Sequence, residues 1–296
     1  MYPHFGVGYL CRLFGKTRQG WYEQCDRKEE RSLTWIMVLK LVQEIRQTLP
    51  RVGTRKLLHM LQPVLQEHNI KMGRDKLYDM LGHHGLLLRY RRRKPYTTDS
   101  SHPYRKYPNL IRDLILTGPE QLWVSDITYL RLTKGFCYLS IVTDAYSRKI
   151  VGYLTHPTLA SEGAVGSLIM AINTLKQKQS LIHHSDRGVQ YCCADYVQVL
   201  EHCKIQISMT ENGDPYENAI AERVNGILKG EFGLDKTFVS IEQAIQETNQ
   251  AVAAYNYNRP HASCDYLTPA NAHQQNGILR KRWKPSARQT VQKINT

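Results

Sequence analysis

Near residue 120 the hydrophobic pattern of this chain changes period, and that change limits the fold more than any other feature. Residues 122–132 (LWVSDITYLRL), 135–144 (GFCYLSIVTD) and 148–156 (RKIVGYLTH) are β-branched and aromatic runs, separated only by Thr133–Lys134 and Ala145–Ser147. Runs joined by two or three residues predict an antiparallel three-stranded meander. The pattern then alternates: a helix near 159–178, a strand at 181–186 (LIHHSD), a helix near 193–203, a strand at 204–208 (KIQIS), and helices near 216–232 and 240–257. Strands that pair early and then alternate with helices predict a mixed α/β layer fold around one central sheet.

Upstream of residue 88 the period is helical. Segments 8–14 and 18–25, split by Gly15, Lys16 and Thr17, have a helix-turn-helix-like spacing. A longer helix is predicted from Thr34 to Leu49, with Trp35, Val38, Leu39, Val42 and Ile45 on one stripe and Pro50 as its stop. Two more are predicted near 54–68 and 73–84, with Gly85 closing the second. Four modules follow from this reading: a helical, DNA-binding region over 1–88, a basic linker over 89–117, the α/β module over 118–260, and a basic tail over 261–296. The linker carries the run Arg91, Arg92, Arg93 and Lys94, which its place between two folded modules makes a candidate DNA-tracking element.

Charge follows the same division. Residues 1–100 carry 19 Lys and Arg against 9 Asp and Glu, and residues 279–296 carry 6 against none. The stretch between them carries 15 against 17, so a slightly acidic middle is flanked by basic arms. Basic arms attract a polyanion by neutralising phosphates and releasing counterions. An acidic centre in such a protein suggests carboxylates kept for holding cations. Seven cysteines without a C-x-x-C pair argue against both a disulfide framework and a cysteine-rich zinc site. No run approaches the roughly 20 apolar residues that cross a bilayer, and the N-terminus has no export signal, so a cytoplasmic, nucleoid-associated protein is expected.

Three acids in the α/β module stand out. Asp126 lies inside the first strand, on the face shared by Leu122, Val124, Thr128 and Leu130, where a charge needs a cation or a hydrogen-bond partner. Asp186 ends the strand LIHHSD, and ligand sites in open α/β sheets collect at the carboxyl ends of strands. Glu222 shares a helix face with Asn218, Gly226 and Lys229. Two strand carboxylates and one helix carboxylate can meet in such a fold. Hard cations such as Mg²⁺ take carboxylate, phosphate and water oxygens, and a pair of them suits in-line displacement at phosphorus.

These same residues carry a resemblance. WVSDITY around Asp126, HHSDRGVQY around Asp186 and ENAIAERVNGILK around Glu222 resemble the DDE integrase core, and more specifically the insertion sequence three family of bacterial transposases. Residues 187–221 leave the 35-residue gap that the family places between its second Asp and its Glu, and Lys229 stands where the family has Lys or Arg seven positions after the Glu. TDAYSRKIVGY (143–153), YNYNRPH (255–261), LTPAN (267–271), CRLFGKTRQGWY and VGTRKL extend the likeness over nearly the whole chain.

The resemblance implies an RNase H-like core and a requirement for Mg²⁺ or Mn²⁺, with two ions in the active complex. It also implies a copy-out, paste-in reaction on double-stranded DNA, at element ends and target. On its terms Asp126, Asp186 and Glu222 hold the metals, and Lys229 contacts the terminal DNA. Self-association on DNA is expected, as is an upstream-frame product acting as fusion or partner. The chain itself shows no sustained heptads.

Other signals are weaker. FGKT (14–17) is not a phosphate loop, because position 10 is Leu rather than Gly and no strand precedes it. His183, His184, Cys192 and Cys193 lack zinc-ligand spacing, so packing roles are expected. Asp144 is expected to cap a turn or support the fold. Glu217 and Glu231 fall off the helix face of Glu222. A DNA-binding regulator with a degenerate core, or an RNase H-type nuclease that uses water alone, stand as alternatives.

Overall fold

The computed structural model describes residues 6–88, 103–175, 180–211 and 218–282, with the side chains of residues 24–32 left aside. The arginine run at 91–94 and the chain beyond residue 282 lie outside the described residues. The described residues divide into two compact units, a helical one over residues 6–48 and 52–88, and an α/β unit that holds residues 49–51 and the described residues from 103 onward.

The helical unit holds α1 (Val7–Leu13), α2 (Arg18–Thr48), α3 (Thr54–Glu67) and α4 (Arg74–His83). The turn around Gly15 (φ +65°) forms as expected, with Lys16 N–H bonded to Cys11 O at 2.8 Å. The expected break between residues 25 and 34 does not form, and α2 runs unbroken for 31 residues. DRKEERSLT contains no Gly or Pro, and its Arg, Lys and Glu are good helix formers; charge alone does not break a helix. Val38 and Val42 are fully buried on the expected stripe. Leu57, Leu61 and Leu65 of α3 and Leu77, Met80 and Leu81 of α4 complete this core. Gly85 (φ +65°) closes α4, with Leu86 N–H bonded to Leu81 O at 2.7 Å.

The α/β unit is built on six strands: β1 (Leu122–Leu132), β2 (Phe136–Asp144), β3 (Ile150–His156), β4 (Ile182–Ser185), β5 (Gln206–Met209) and β6 (Thr237–Phe238). Their order is β3-β2-β1-β4-β5, with β6 pairing the end of β1. The first three strands form the expected antiparallel meander, and β4, β5 and β6 join in parallel. On one face α5 (Ser161–Ile172), α6 (Val189–Cys192) and α7 (Ala194–His202) cover Trp123, Val142, Ile207 and Met209. On the other, α8 (Ala219–Glu231) and α9 (Ile241–Tyr257) cover Leu130, Leu139, Ile141 and Phe238. The helix α5 ends six residues before the expected point, its backbone tightening into bonds three residues apart, Thr174 N–H to Ala171 O and Leu175 N–H to Ile172 O.

Two expected boundaries move. The segment assigned to a linker is docked before residue 117: Met209 N–H donates to Pro108 O, and Leu110 N–H donates to Ser208 Oγ at 2.9 Å. Ile111 and Leu116 pack against the cluster of Leu122 and Val124. At the other end the folded unit continues past residue 260 through a short turn at Ala262–Cys264 and α10 (Pro269–Ala272). Cys264 and Ala272 are fully buried, and Tyr146 Oη donates to Gly277 O at 2.8 Å. Composition made this stretch resemble a tail, since few apolar residues carry its packing.

Among the described glycines, Gly152 has the least room, where β3 meets α5. A Cβ on Gly152 would stand 2.0 Å from Ser167 O and 2.8 Å from Ala171 N, both backbone atoms that cannot step aside. Gly152→Ala is therefore expected to cost about 3 kcal/mol or more in chemical unfolding. Gly226→Ala, on the open face of α8 with nothing within 4 Å, is expected to be neutral or to add up to about 1 kcal/mol. Equal effects of the two would show that the β3–α5 contact is not as described.

Candidate active site

The strand register brings the first two acids together. In the parallel pair β1–β4, Leu122 lies opposite Ile182 and Val124 opposite His184. Continued by two residues, that register sets Asp186 alongside Asp126, and both side chains fall on the face covered by α8. Asp186 sits just past β4, where the chain turns into α6. Its Oδ1 accepts from Gly188 N–H at 3.0 Å, and a Cβ on Gly188 would stand 3.0 Å from that same oxygen.

The third acid arrives on α8, which is fastened to β1 by two carboxamides. Asn218, at the N-cap, donates from Nδ2 to Ser125 O at 3.0 Å. Asn225, two turns on, donates from Nδ2 to Asp126 Oδ2 at 2.8 Å. Glu222 lies between them in the first turn, exposed, where the positive end of the helix dipole favours a carboxylate. Asn225 escaped the sequence reading, which followed positions 218, 222, 226 and 229. Asn225 lies instead on the buried face of α8, with Ala221, Val224 and Leu228. Lys229 lies half-buried in the last turn of α8, two turns beyond Glu222.

The electrostatics show that the three acids share a neighbourhood. The Asp126 carboxyl is enclosed by protein, although part of the residue stays accessible. Burial first, and then the charge of Asp186, push its pKa up to about 7, with Glu222 adding a smaller rise. The bonds from Asn225 and from Ile127 N–H (2.9 Å to Oδ1) oppose that rise without cancelling it. Glu222 is likewise raised, by burial and then by Asp186. Still, no three His, Cys, Asp or Glu side chains among the described residues are grouped as a metal ion would require.

The remaining candidates have structural work. His183 is fully buried, its Nε2 within 2.7 Å of Ser125 Oγ and 2.8 Å of Tyr196 Oη, and burial lowers its pKa to about 3. His184 Nδ1 lies 2.8 Å from Ser208 Oγ. Cys192 is buried in the core, with Sγ 3.7 Å from Met209 Sδ. Asp144 both caps a turn and supports the fold: Oδ1 accepts from Ser147 N–H and Oγ, and Oδ2 from Glu120 N–H at 2.7 Å. Glu231 is engaged by Arg259 through two 2.8 Å bonds.

A central strand flanked by an antiparallel meander and parallel β4 and β5, with acids at the sheet centre and on α8, defines an integrase-core protein of the RNase H-like class. The integrase core domain model matches residues 117–215, and a second integrase core domain model matches residues 203–269. The chain is 33% identical over 270 residues to the uncharacterized 31 kDa protein of insertion element IS600 from Shigella sonnei, covering 88% of this chain and 96% of that protein. It is 30% identical over 281 residues to the transposase InsF of insertion sequence IS3A from Escherichia coli (strain K12), covering 92% and 95%. Among solved structures, the HTLV-2 integrase catalytic core domain in complex with magnesium is a distant likeness, at 20% identity and a TM-score of 0.43 over 53% of this chain and 97% of that one. The chain belongs to the insertion sequence three family of transposases. It is thus a polynucleotidyl transferase of the DDE type.

The raised Asp126 carboxyl has a pH signature. Between about pH 4 and pH 7 the folded protein keeps a proton that the unfolded chain has released. This stabilising contribution is whole below pH 4 and is lost as pH rises through 7. In metal-free protein, Asp126→Asn is expected to gain on the wild type by roughly 2 kcal/mol between pH 5 and pH 8. The full rise would carry about 4 kcal/mol, and solvent access to the residue reduces it. Urea unfolding in EDTA at the two pH values measures this; identical pH slopes for both proteins would remove the argument.

Proposed function

We propose that Asp126, Asp186 and Glu222 are the catalytic carboxylates of this transposase and hold divalent metal, Mg²⁺ or Mn²⁺, as two ions in the active complex. The observation that supports the proposal is that acids from three elements sense one another: Asp126, raised to about 7 by burial first, is raised further by Asp186 and a little by Glu222, and Glu222 is raised by Asp186 in turn. The donor set fits such a cation. All three groups offer oxygen, and Asn225, whose Nδ2 holds Asp126, keeps its own Oδ1 buried without a partner. When bound, the metal would supply Lewis-acid stabilisation of the attacking and leaving oxygens in displacement at phosphorus.

The protein's own part is positioning. Asn225 and Ile127 N–H fix both oxygens of Asp126, and Gly188 N–H fixes one oxygen of Asp186. Asp126 must give up the proton it holds near neutrality before it can ligate a cation, so metal binding weakens as pH falls below about 7. Glu222, exposed on the first turn of α8, stands where an incoming duplex can reach it. Lys229 adds a cation on the same helix for phosphate, and the run Arg91, Arg92, Arg93 and Lys94 adds four more in the sequence for the DNA backbone. On this reading the helical unit engages double-stranded DNA, and the freed 3′-hydroxyl attacks a second phosphodiester, its oxygen bonding to phosphorus as the old 3′-oxygen leaves. The active form assembles from several copies on DNA, with an upstream-frame product as fusion or partner.

With Mg²⁺ or Mn²⁺ and DNA carrying the ends that flank its gene, the protein is expected to cut and join strands. Asp186→Asn and Glu222→Gln are each expected to lower both steps by about 10³-fold or more while leaving the fold intact. Lys229→Ala is expected to weaken DNA binding with little change in the unfolding curve. Full activity in Asp186→Asn would defeat the assignment, and cleavage without joining would make the chain a nuclease.

A further inference from the structure

On its way into β1 the chain wraps round the outer edge of β5, the last strand on that side of the sheet. Met209 N–H donates to Pro108 O, and Asn109 N–H donates to Glu211 Oε1 at 3.0 Å. Before the wrap, Tyr107 packs into the cluster of the α5–α7 face. After it, Leu110 N–H meets Ser208 Oγ, and Ile111 joins the cluster of Leu122, Val124 and Ala221. Ser208 lies opposite His184, and His184 opposite Val124, so the chain emerges on the face that carries Asp126. Ala221 is the residue before Glu222.

Arg112 follows directly. Its guanidinium pairs with Glu211, and the pair is open to solvent, with 58% of the arginine side chain and 32% of the glutamate exposed. The segment does not need this pair to stay docked, since its main-chain bonds and the packing of Ile111 and Leu116 already hold it. An exposed pair contributes little to stability, so a phosphate can take the place of the carboxylate, and a guanidinium fork suits phosphate oxygens. Glu211 comes one residue after Thr210, whose N–H bonds to Ser185 O and which the strand register sets alongside Asp186. Strands lie about 4.8 Å apart, so two spacings, about 10 Å, separate Asp186 from the segment that carries Arg112. Nucleotides of a duplex strand advance about 3.4 Å each, which makes that span about three nucleotides. Arg105 and Lys106, both exposed, precede the wrap, and Asp113 is the one acid among residues 103–117.

We propose that Arg112 is a DNA-binding residue: in exchange for Glu211, its guanidinium takes a backbone phosphate about three nucleotides from the scissile bond, and Arg105 and Lys106 continue the phosphate path round the edge of β5. The register to the scissile bond rests on the assignment of Asp126, Asp186 and Glu222 as the catalytic acids. The contact carries charge rather than sequence, so it serves element-end and target DNA alike.

The test is duplex DNA binding by the full chain in EDTA, followed against salt concentration, with the ends that flank its gene and with random-sequence DNA. Arg112→Ala is expected to bind both about tenfold more weakly at about 0.1 M salt. Its slope of log affinity against log salt is expected to be shallower by about one, with the melting temperature unchanged. Arg112→Lys, which keeps the charge and loses the fork, is expected to keep the wild-type slope. Glu211→Gln removes the competing charge and still offers Asn109 N–H an acceptor, so it is expected to bind DNA about twofold tighter or more. Lys134→Ala, in the β1–β2 turn, is expected to bind as the wild type does. Wild-type affinity and slope in Arg112→Ala, or weaker binding by Glu211→Gln, would overturn the role of Arg112; should Arg112→Ala not fold, Glu211→Gln decides. Asp186→Asn is read separately, by cutting in Mg²⁺. Full cutting there would remove the acid site and with it the three-nucleotide register. Lost cutting there, beside an unchanged salt slope in Arg112→Ala, would remove Arg112 and leave the acids standing.

Discussion

Like charges in a small enclosed space set the terms for this α/β unit. Two carboxylates belong to neighbouring strand positions and a third to the helix above them. Burial and mutual repulsion both work against ionising Asp126, and the result is a carboxyl poised near neutrality. The groups that hold Asp126 in place are a main-chain amide and a carboxamide rather than Lys or Arg. A fixed cation at that position would have lowered the repulsion and also competed with any metal. Neutral donors orient the oxygens while leaving their charge available.

Repulsion would also push α8 away from β1 if the helix were held only at its acidic end. It is held at both. Near its start, Asn218 and Asn225 reach the strand on either side of Glu222. At its end, Glu231 meets Arg259 in a two-pronged ion pair in which the guanidinium is 2% exposed and lies over the Tyr255 ring. Such pairs add geometric definition even where their net contribution to stability is modest. The motif YNYNRPH, whose purpose composition does not reveal, thereby acquires a physical role: it supplies Tyr255 and Arg259 at the end of α9 to fix the far end of the acid-bearing helix.

What could be read from the sequence follows from how each feature is encoded. The meander was legible because strands of a sheet covered on both faces carry long β-branched and aromatic runs, and Gly135 (φ +81°) marks the turn between β1 and β2. The acids were legible because a charge inside an apolar run is conspicuous. Asn225 was not, since a carboxamide on an amphipathic helix looks the same whether it faces water or Asp126. The length of α2 was not legible either, because the charged residues between the two predicted segments carry no apolar stripe, although they hold no breaker. The docking of residues 107–116 and 262–277 was hidden for a related reason. These segments are fixed by main-chain bonds and single anchors such as Tyr146 to Gly277, and neither leaves a periodic trace.

The alternation of a strand explains how the sheet keeps two chemistries apart at adjacent residues. Ser125 points into the α5–α7 layer, where it meets His183, and Asp126 points to the α8 layer, one position along the same strand. On the first side burial holds the imidazole neutral, with a pKa of about 3, so that layer adds no titrating charge in the range where Asp126 gains and loses its proton. A histidine that ionised near pH 6 at that position would have tied the acids to its own titration. With His183 silent, the proton on Asp126 answers to burial, to its two hydrogen bonds and to the neighbouring acids. A cation binding those acids must displace that same proton, so metal affinity and pH are coupled through a single side chain at the centre of the sheet.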